Sequence, residues 1–323
     1  MLSTIQQPIR QSIRDFYWRD HIVLIAIFVI TGIFAVTSPH FLTVNNLVNV
    51  IRQTAIVAVL GVGMTFAIIS AEIDISIGGI AAISGMLAAV TMATGLPWPL
   101  GLAVGIGTGV LFGLLNGVIS VRVGIPSFLV TLGMLGVTSG LALIVTATQP
   151  VRVTSDGFLM LFSGWVGPVP VIVIWAAIVA VVGHIVLKET EFGRHVYATG
   201  DDTEAARYTG INTAKVRLAT LTICGGTAGF AGMLLIARLS VARPTMGDPL
   251  MLPAIAAVIL GGTSLFGGRG TIWGTLLGAF LMSLIDNGLV LHGFGSSHQE
   301  LIRGAVIIAA VALREQEGEG GWI

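Results

Sequence analysis

Charge is what this 323-residue sequence has least of: 16 Lys and Arg, 16 Asp and Glu, 10% of the chain in all, with a formal net charge of zero. Soluble domains carry about 25% charged residues, so a fully water-facing surface cannot be built from this chain. A zero balance also removes the basic footprint of nucleic-acid binding, and no nucleic-acid partner is expected. Cysteine occurs once, as Cys224 inside an apolar run, which excludes an intrachain disulfide and argues against a zinc site. Lysine occurs twice, as Lys188 after Leu187 and Lys215 after Ala214. A phosphate-binding P-loop requires Gly-Lys-Ser/Thr, so the chain has no ATPase site of that type, and Gly267-Gly268-Arg269-Gly270 imitates one only superficially. The six histidines have no metal-ligand spacing, and Ile83-Ser84-Gly85 lacks the flanking Gly of a strained nucleophile turn. No catalytic residue, bound cofactor or metal is expected.

What is abundant is apolar. Hydrophobic residues make up 54% and mean hydropathy is +0.94. Glycine, at 43 residues, is frequent enough for helices to pack backbone to backbone. Crossing a bilayer takes about 20 helical residues. Ten runs meet or approach that length: 21–38, 54–71, 76–94, 100–121, 127–147, 168–187, 217–237, 252–267, 271–291 and 299–313. The expected fold is therefore all-α, a polytopic transmembrane bundle of about ten spans. Residues 1–20 are polar, hold Arg10, Arg14 and Arg19, and read as a retained cytoplasmic tail with no cleavable signal. Residues 21–313 form one membrane domain, and 314–323 a polar tail.

Placing the N-terminus inside puts eleven Lys and Arg on the cytoplasmic side, against Arg52, Arg152, Arg238, Arg243 and Arg303 outside. This bias supports N-in, C-in. Most of it comes from 188–217, which holds ten of the chain's charges. There Asp201 and Glu204 form the pattern of a helix capping box, and Gly210 stands where a left-handed cap is expected. An ordinary solvated loop and a docking helix for a soluble partner both fit.

Two apolar stretches are interrupted, at Glu72–Gly79 and at Gly261–Gly270. Broken helices in two halves of a transporter often mark a substrate path; tight turns between spans are the alternative. Ionisable groups at membrane depth are costly and point to function. Glu72 and Asp74 lie at a junction where interfacial water is within reach, and His184 lies near Lys188 as a packed or interfacial imidazole. Asp286, followed by Asn287, lies about 22 Å along its span at 1.5 Å per residue. Hydrogen bonding to a neighbouring helix and lining a polar path are both open for Asp286 and for Asn116.

The segments Asp74-Ile75-Ser76-Ile77-Gly78, Gly200 to Ile211, Ala237-Arg238-Leu239, Pro244-Thr245-Met246-Gly247 and Ala254 to Ser264 occur in an order and spacing that are specific. Over nearly its whole length the chain resembles the ribose-type permeases of bacterial ATP-binding-cassette sugar importers. The resemblance implies a translocating subunit, not itself an enzyme, in a bacterial inner membrane. It would work with two ATP-binding subunits that carry ATP and Mg, a second permease copy or homologous permease, and a periplasmic sugar-binding protein. It also implies a coupling role for Gly193, Arg194, Gly200, Glu204, Ala205, Ala206, Gly210 and Ile211. Translocation-path candidates are Asp74, Ser76, Asn116, Asp286 and Asn287. The chain departs from the pattern at Glu72, where a small residue is usual, at Asp201-Asp202, at Asp286, where Asn is common, and at Met251-Leu252-Pro253, where acidic residues are frequent. An altered sugar preference or a rearranged hydrogen-bond set would follow. The alternative reading is a proton- or sodium-coupled secondary transporter using Asp74 or Asp286.

Overall fold

The computed structural model describes residues 22–318, so the expected tail 1–20 and residues 319–323 lie outside the described residues. The described chain is almost entirely helical. In order, α1 is Ile22–Thr37, α2 Val44–Ile69, α3 Ile77–Ala93, α4 Trp98–Val118 and α5 Ser127–Val145; next come α6 Asp156–Ser163 and α7 Val171–Glu189. Then follow α8 Glu191–Asp201, α9 Thr203–Tyr208, α10 Thr213–Leu239, α11 Asp248–Leu260, α12 Ile272–Leu291 and α13 Ser296–Gly318. A π-helical turn, Ile119–Val123, continues α4. Four two-residue strands complete the list: β1 Val151–Arg152 pairs antiparallel with β4 Val241–Ala242, and β2 Trp165–Val166 with β3 Val169–Pro170.

Each of the ten apolar runs overlaps a helix, although the run 252–267 extends past α11 into the turn that follows it. Six are long and apolar enough to cross a membrane, namely α2, α4 with its π turn, α5, α7, α10 and α12. The helices α1, α3 and α11 are apolar but shorter. At 13 residues α11 reaches only about 20 Å, well short of about 30 Å of hydrocarbon. The helix α13 is markedly less apolar, and it runs to Gly318, into the expected polar tail. The surface of this bundle is oily: Phe128, Leu129, Leu132, Val137 and Ile144 are all exposed along α5. A contiguous apolar face of this kind suits lipid rather than water.

Helix direction follows from the connections. The long helix α2 begins beside α6, where Arg52 donates to Ser163 Oγ at 2.8 Å. Its last residue, Ile69, offers its carbonyl to Gly268 N at 2.9 Å. Both α7 and α10 have one end joined to the α8–α9 segment and the other to the short strands. The bundle therefore has an end bearing α8, α9 and the 261–271 turn, and an opposite end bearing the two strand pairs and α6. At this second end Phe158, Phe162, Trp175 and Phe230 form an aromatic plug, with ring centroids 4.9–6.1 Å apart.

The most extensive helix-to-helix packing runs between α4 and α10. Gly105, Gly109, Gly113 and Gly117 recur every four residues, one face of a helix, and meet Gly225, Gly229 and Leu218 of α10. A Cβ at Gly113 would lie 2.9 Å from the Gly225 Cα, so the two backbones touch directly. By contrast, Gly133 and Gly136 on α5 face open space.

This contrast predicts unequal costs. Gly109→Val is expected to destabilise the protein by about 1–3 kcal/mol or more through overpacking. Gly133→Val should stay within about 0.5 kcal/mol of the parent. Thermal unfolding in detergent measures both.

Candidate functional site

Between α2 and α3 the chain leaves helical form from Ser70 to Ser76, inside the bundle. The turn out of α2 is sharp, with Ala71 in the left-handed region at φ 61°. Neither Glu72 nor Asp74 reaches interfacial water: they are 1% and 0% exposed. The helix α5 holds the extended backbone through two hydroxyls. Ile73 N donates to Ser127 Oγ at 3.1 Å, and Thr131 Oγ1 accepts from Ile75 N and donates to the Ile73 carbonyl, each at 3.1 Å.

Just before α3, Asp74 accepts from Ser76 N at 2.9 Å and Ser76 Oγ at 2.5 Å. Asn116, from α4, donates to Ser76 Oγ at 2.9 Å and Asp74 Oδ2 at 3.4 Å. The Cys224 thiol of α10 is a further hydrogen-bond partner of Asp74. Three of the expected path residues thus form one buried cluster. Asn116 Oδ1 has no partner among the described residues. Two residues before Asp74, Glu72 pairs with Arg217 Nε of α10. Ser70 Oγ bonds Thr220 Oγ1 at 2.8 Å.

A second interruption meets the first, though not where glycine pattern placed it. The 261–270 stretch is a turn between α11 and α12, with Gly262, Gly267 and Gly268 at positive φ. The true partner is the loop after β4, which enters the bundle from the strand-bearing end. Ser240 turns the chain at φ 53°, Pro244, Met246 and Gly247 are buried, and α11 starts at depth. Gly247 packs against the Gly78 carbonyl, where no Cβ would fit, and Gly78 packs reciprocally on Gly247. The only local signal was the short length of α11, beside Pro244 and Gly247.

Asp286 and Asn287 form a separate cluster. Asp286 Oδ1 accepts from Arg303 Nε of α13 at 2.8 Å, and its Oδ2 from Gln53 Nε2 at 3.3 Å. Asn287 and Asn46 exchange amide hydrogen bonds at 2.8 and 2.9 Å, joining α12 to α2. Arg303, 8% exposed, is therefore an internal counter-ion and not a loop charge. His184 lies tilted against Trp273, with ring centroids 5.6 Å apart.

The charged segment contains two helices, of which α8 was not anticipated. The cap of α9 is Asp202, one residue after the expected Asp201: its Oδ1 accepts from Glu204 N and Ala205 N, each at 2.9 Å. Asp201 instead ends α8. Gly210 takes the left-handed conformation, φ 90°, as expected.

Residues of this segment divide by face. Gly193, Gly200 and Ala206 are buried, with Gly200 pressed on the Ile69 carbonyl and against Gly268. Tyr197 donates to the Gly270 carbonyl at 2.8 Å, and burial raises its phenol above the ordinary value, keeping the proton it donates. Arg194, Glu204, Ala205, Arg207 and Gly210 are exposed, as is Tyr208 at 89%, while Ile211 is half-buried. At the other end a cleft of about 560 Å³ opens beside the β1–β4 ribbon, lined by Arg152, Thr154, Ser240 and Arg243 among others.

The sequence matches a protein family described as branched-chain amino acid transport system / permease component over residues 46–311. It is 38% identical over 295 residues to the ribose import permease protein of Escherichia coli, covering 89% of this chain and 91% of that protein. It is 35% identical over 299 residues to the D-allose transport system permease protein of the same organism, covering 92% of each. The xylose transport system permease protein of Haemophilus influenzae is 31% identical, covering 90% of this chain and 94% of that protein. No solved structure matches the chain.

Breaking one buried ion pair from one side should be costly. Arg303→Met is expected to destabilise by about 3–5 kcal/mol, because it strands the Asp286 carboxylate. Adding Asp286→Asn should recover most of that loss. Thermal unfolding of the two variants in detergent tests it.

Proposed function

We propose that this chain, which belongs to the permease family described as branched-chain amino acid transport system / permease component, is the translocating subunit of an ATP-driven importer of a monosaccharide. One observation carries the reading: near-full-length similarity to permeases whose names specify ribose, D-allose and xylose. The family description names amino acids, but the full-length relatives name sugars, and the proposal follows them.

The site of action is a bacterial inner membrane, with both termini in the cytoplasm. Helix directions support this orientation. The last turn of α1 packs with the strand-bearing end of α12 through Phe34 and Gly288, so α1 starts at the end carrying α8 and α9. The helix α13 begins beside that same strand-bearing end and runs the other way.

In this reading two ATP-binding subunits, which carry ATP and Mg, dock on the α8–α9 segment. Arg194, Glu204, Ala205 and Gly210 form the exposed contact. Gly193, Gly200, Ala206 and Ile211 seat the segment on the bundle, so a push on the outer face reaches the helices beneath. A second permease copy or relative completes the path, and a periplasmic binding protein delivers sugar to the strand-bearing end. The proposed path passes the Asp74, Ser76 and Asn116 cluster, where two interrupted elements meet and helix ends can change angle without breaking a continuous span. Asp286 and Asn287 belong to the path proposal through their polarity at depth, although both carry direct partners on other helices.

Membrane vesicles holding the assembled transporter and its binding protein test the energy source. Uptake should require ATP and ignore an uncoupler. Uptake that collapses with the uncoupler and ignores ATP would establish the ion-coupled alternative. Glu204→Arg and Gly210→Trp should each lower co-purification of the ATP-binding subunits and uptake at least tenfold. Normal assembly and transport in both would remove the docking assignment.

A further inference from the structure

We infer that the Glu72–Arg217 ion pair is the positioning contact through which movement of the α8–α9 segment reaches the buried break at 70–76. This rests on the reading of the chain as an ATP-driven permease.

Glu72 is almost fully buried, whereas the Arg217 side chain is about one-third exposed, at 32%. Neutralising Arg217 does not require a carboxylate, because a guanidinium at the edge of the bundle is already hydrated. The costly member is Glu72, since burying a carboxylate is favourable only with a well-placed cation and further hydrogen bonds. Those further bonds are incomplete: Glu72 Oε2 has no partner among the described residues. A carboxylate held mainly by one cation in a low-dielectric surrounding is pulled when that cation moves.

Arg217 is placed to be moved. It lies in the second turn of α10, directly after the segment, whose last residues cap that helix through Lys215 N donating to Asn212 Oδ1 at 3.0 Å. Every other grip on residues 69–72 comes from the same end of the molecule. Thr220, one turn further along α10, bonds Ser70. Gly268 N bonds the Ile69 carbonyl, and Gly200 of α8 lies against that carbonyl with no room for a Cβ. Beyond Glu72 the chain runs through Ile73 directly into the Asp74 cluster. A shift of α8 and the start of α10 therefore has a short physical route to Asp74, and Glu72–Arg217 is its one ion pair among the described residues.

The test uses the full transporter with its ATP-binding subunits and binding protein in proteoliposomes. Labelled D-ribose, D-allose or D-xylose serves as probe, whichever the parent imports, and import and ATP hydrolysis are measured together. Glu72→Met with Arg217→Met removes the pair without stranding a charge. It should assemble and hydrolyse ATP at close to the parent rate, with sugar imported per ATP reduced at least tenfold. Arg217→Lys, which keeps the cation, should retain at least half of the parent ratio. A parent ratio in the double Met variant would overturn the inference. So would failure of that variant to assemble, which would make the pair a folding element, or a Lys variant as uncoupled as the double one. A parent complex that imports none of the sugars, or imports without ATP, counts against the proposed function instead.

Discussion

Within hydrocarbon a backbone amide or carbonyl without a partner costs several kcal/mol, so irregular chain at that depth persists only where protein groups satisfy it. The stretch from Ser70 to Ser76 is such a place, and much of the bundle is arranged around it. Ser127 and Thr131 of α5 supply the hydroxyls that replace a helical ladder, Asn116 comes from α4, and Cys224, Thr220 and Arg217 come from α10. Three helices must hold station for one interruption to exist. The loop through Met246 and Gly247 faces the same demand and meets the first interruption at Gly78.

Charge at depth is handled in two ways. Glu72 and Asp286 each take an arginine from a neighbouring helix. Asp74 takes neutral donors only: the Ser76 amide and hydroxyl, the Asn116 amide and a thiol. Asp74 binds the amide and hydroxyl of Ser76, the residue that opens α3, so its donors come with the fold. The Asp286 pair ties α12 to α13 and, through Gln53, to α2, while Asn46 and Asn287 add a second tie. The polar residues at depth thus form two clusters, one at a helix break, where both solutions occur, and one at a helix seam.

Hydropathy made the helices legible because each span must be apolar along most of its length, and Gly210 was legible because a left-handed cap needs a residue without a Cβ. What escaped had little local signature. The loop at 243–247 showed in the sequence only as an outer charge, Arg243, and a segment of the resemblance, and its burial is decided by Gly78, over 160 residues away. Arg303 looked like an outer-loop charge because its partner Asp286 sits on another helix. Glu72 looked interfacial for the same reason, its cation lying 145 residues along the chain. Helix α8 was hidden by its own composition: charged residues and two glycines in eleven positions resemble a loop until the buried face formed by Gly193, Val196 and Gly200 is assembled against the bundle. The shift of the α9 cap from Asp201 to Asp202 shows how adjacent identical residues leave a boundary undetermined until hydrogen bonds choose.

The glycine seam between α4 and α10 has a mechanical meaning. Side chains that interdigitate can slide by exchanging rotamers, but backbones in direct contact have nothing to exchange. Two long helices seamed in this way behave as a single girder from one face of the membrane to the other. Any rocking of the protein must then occur about that girder, with compliance left to elements lacking such seams. The outward face of α5 around Gly133 and Gly136 carries no such seam, whereas the half-length α11 is itself seamed to α12, where Gly261 meets Gly274 and Ala257 meets Gly278.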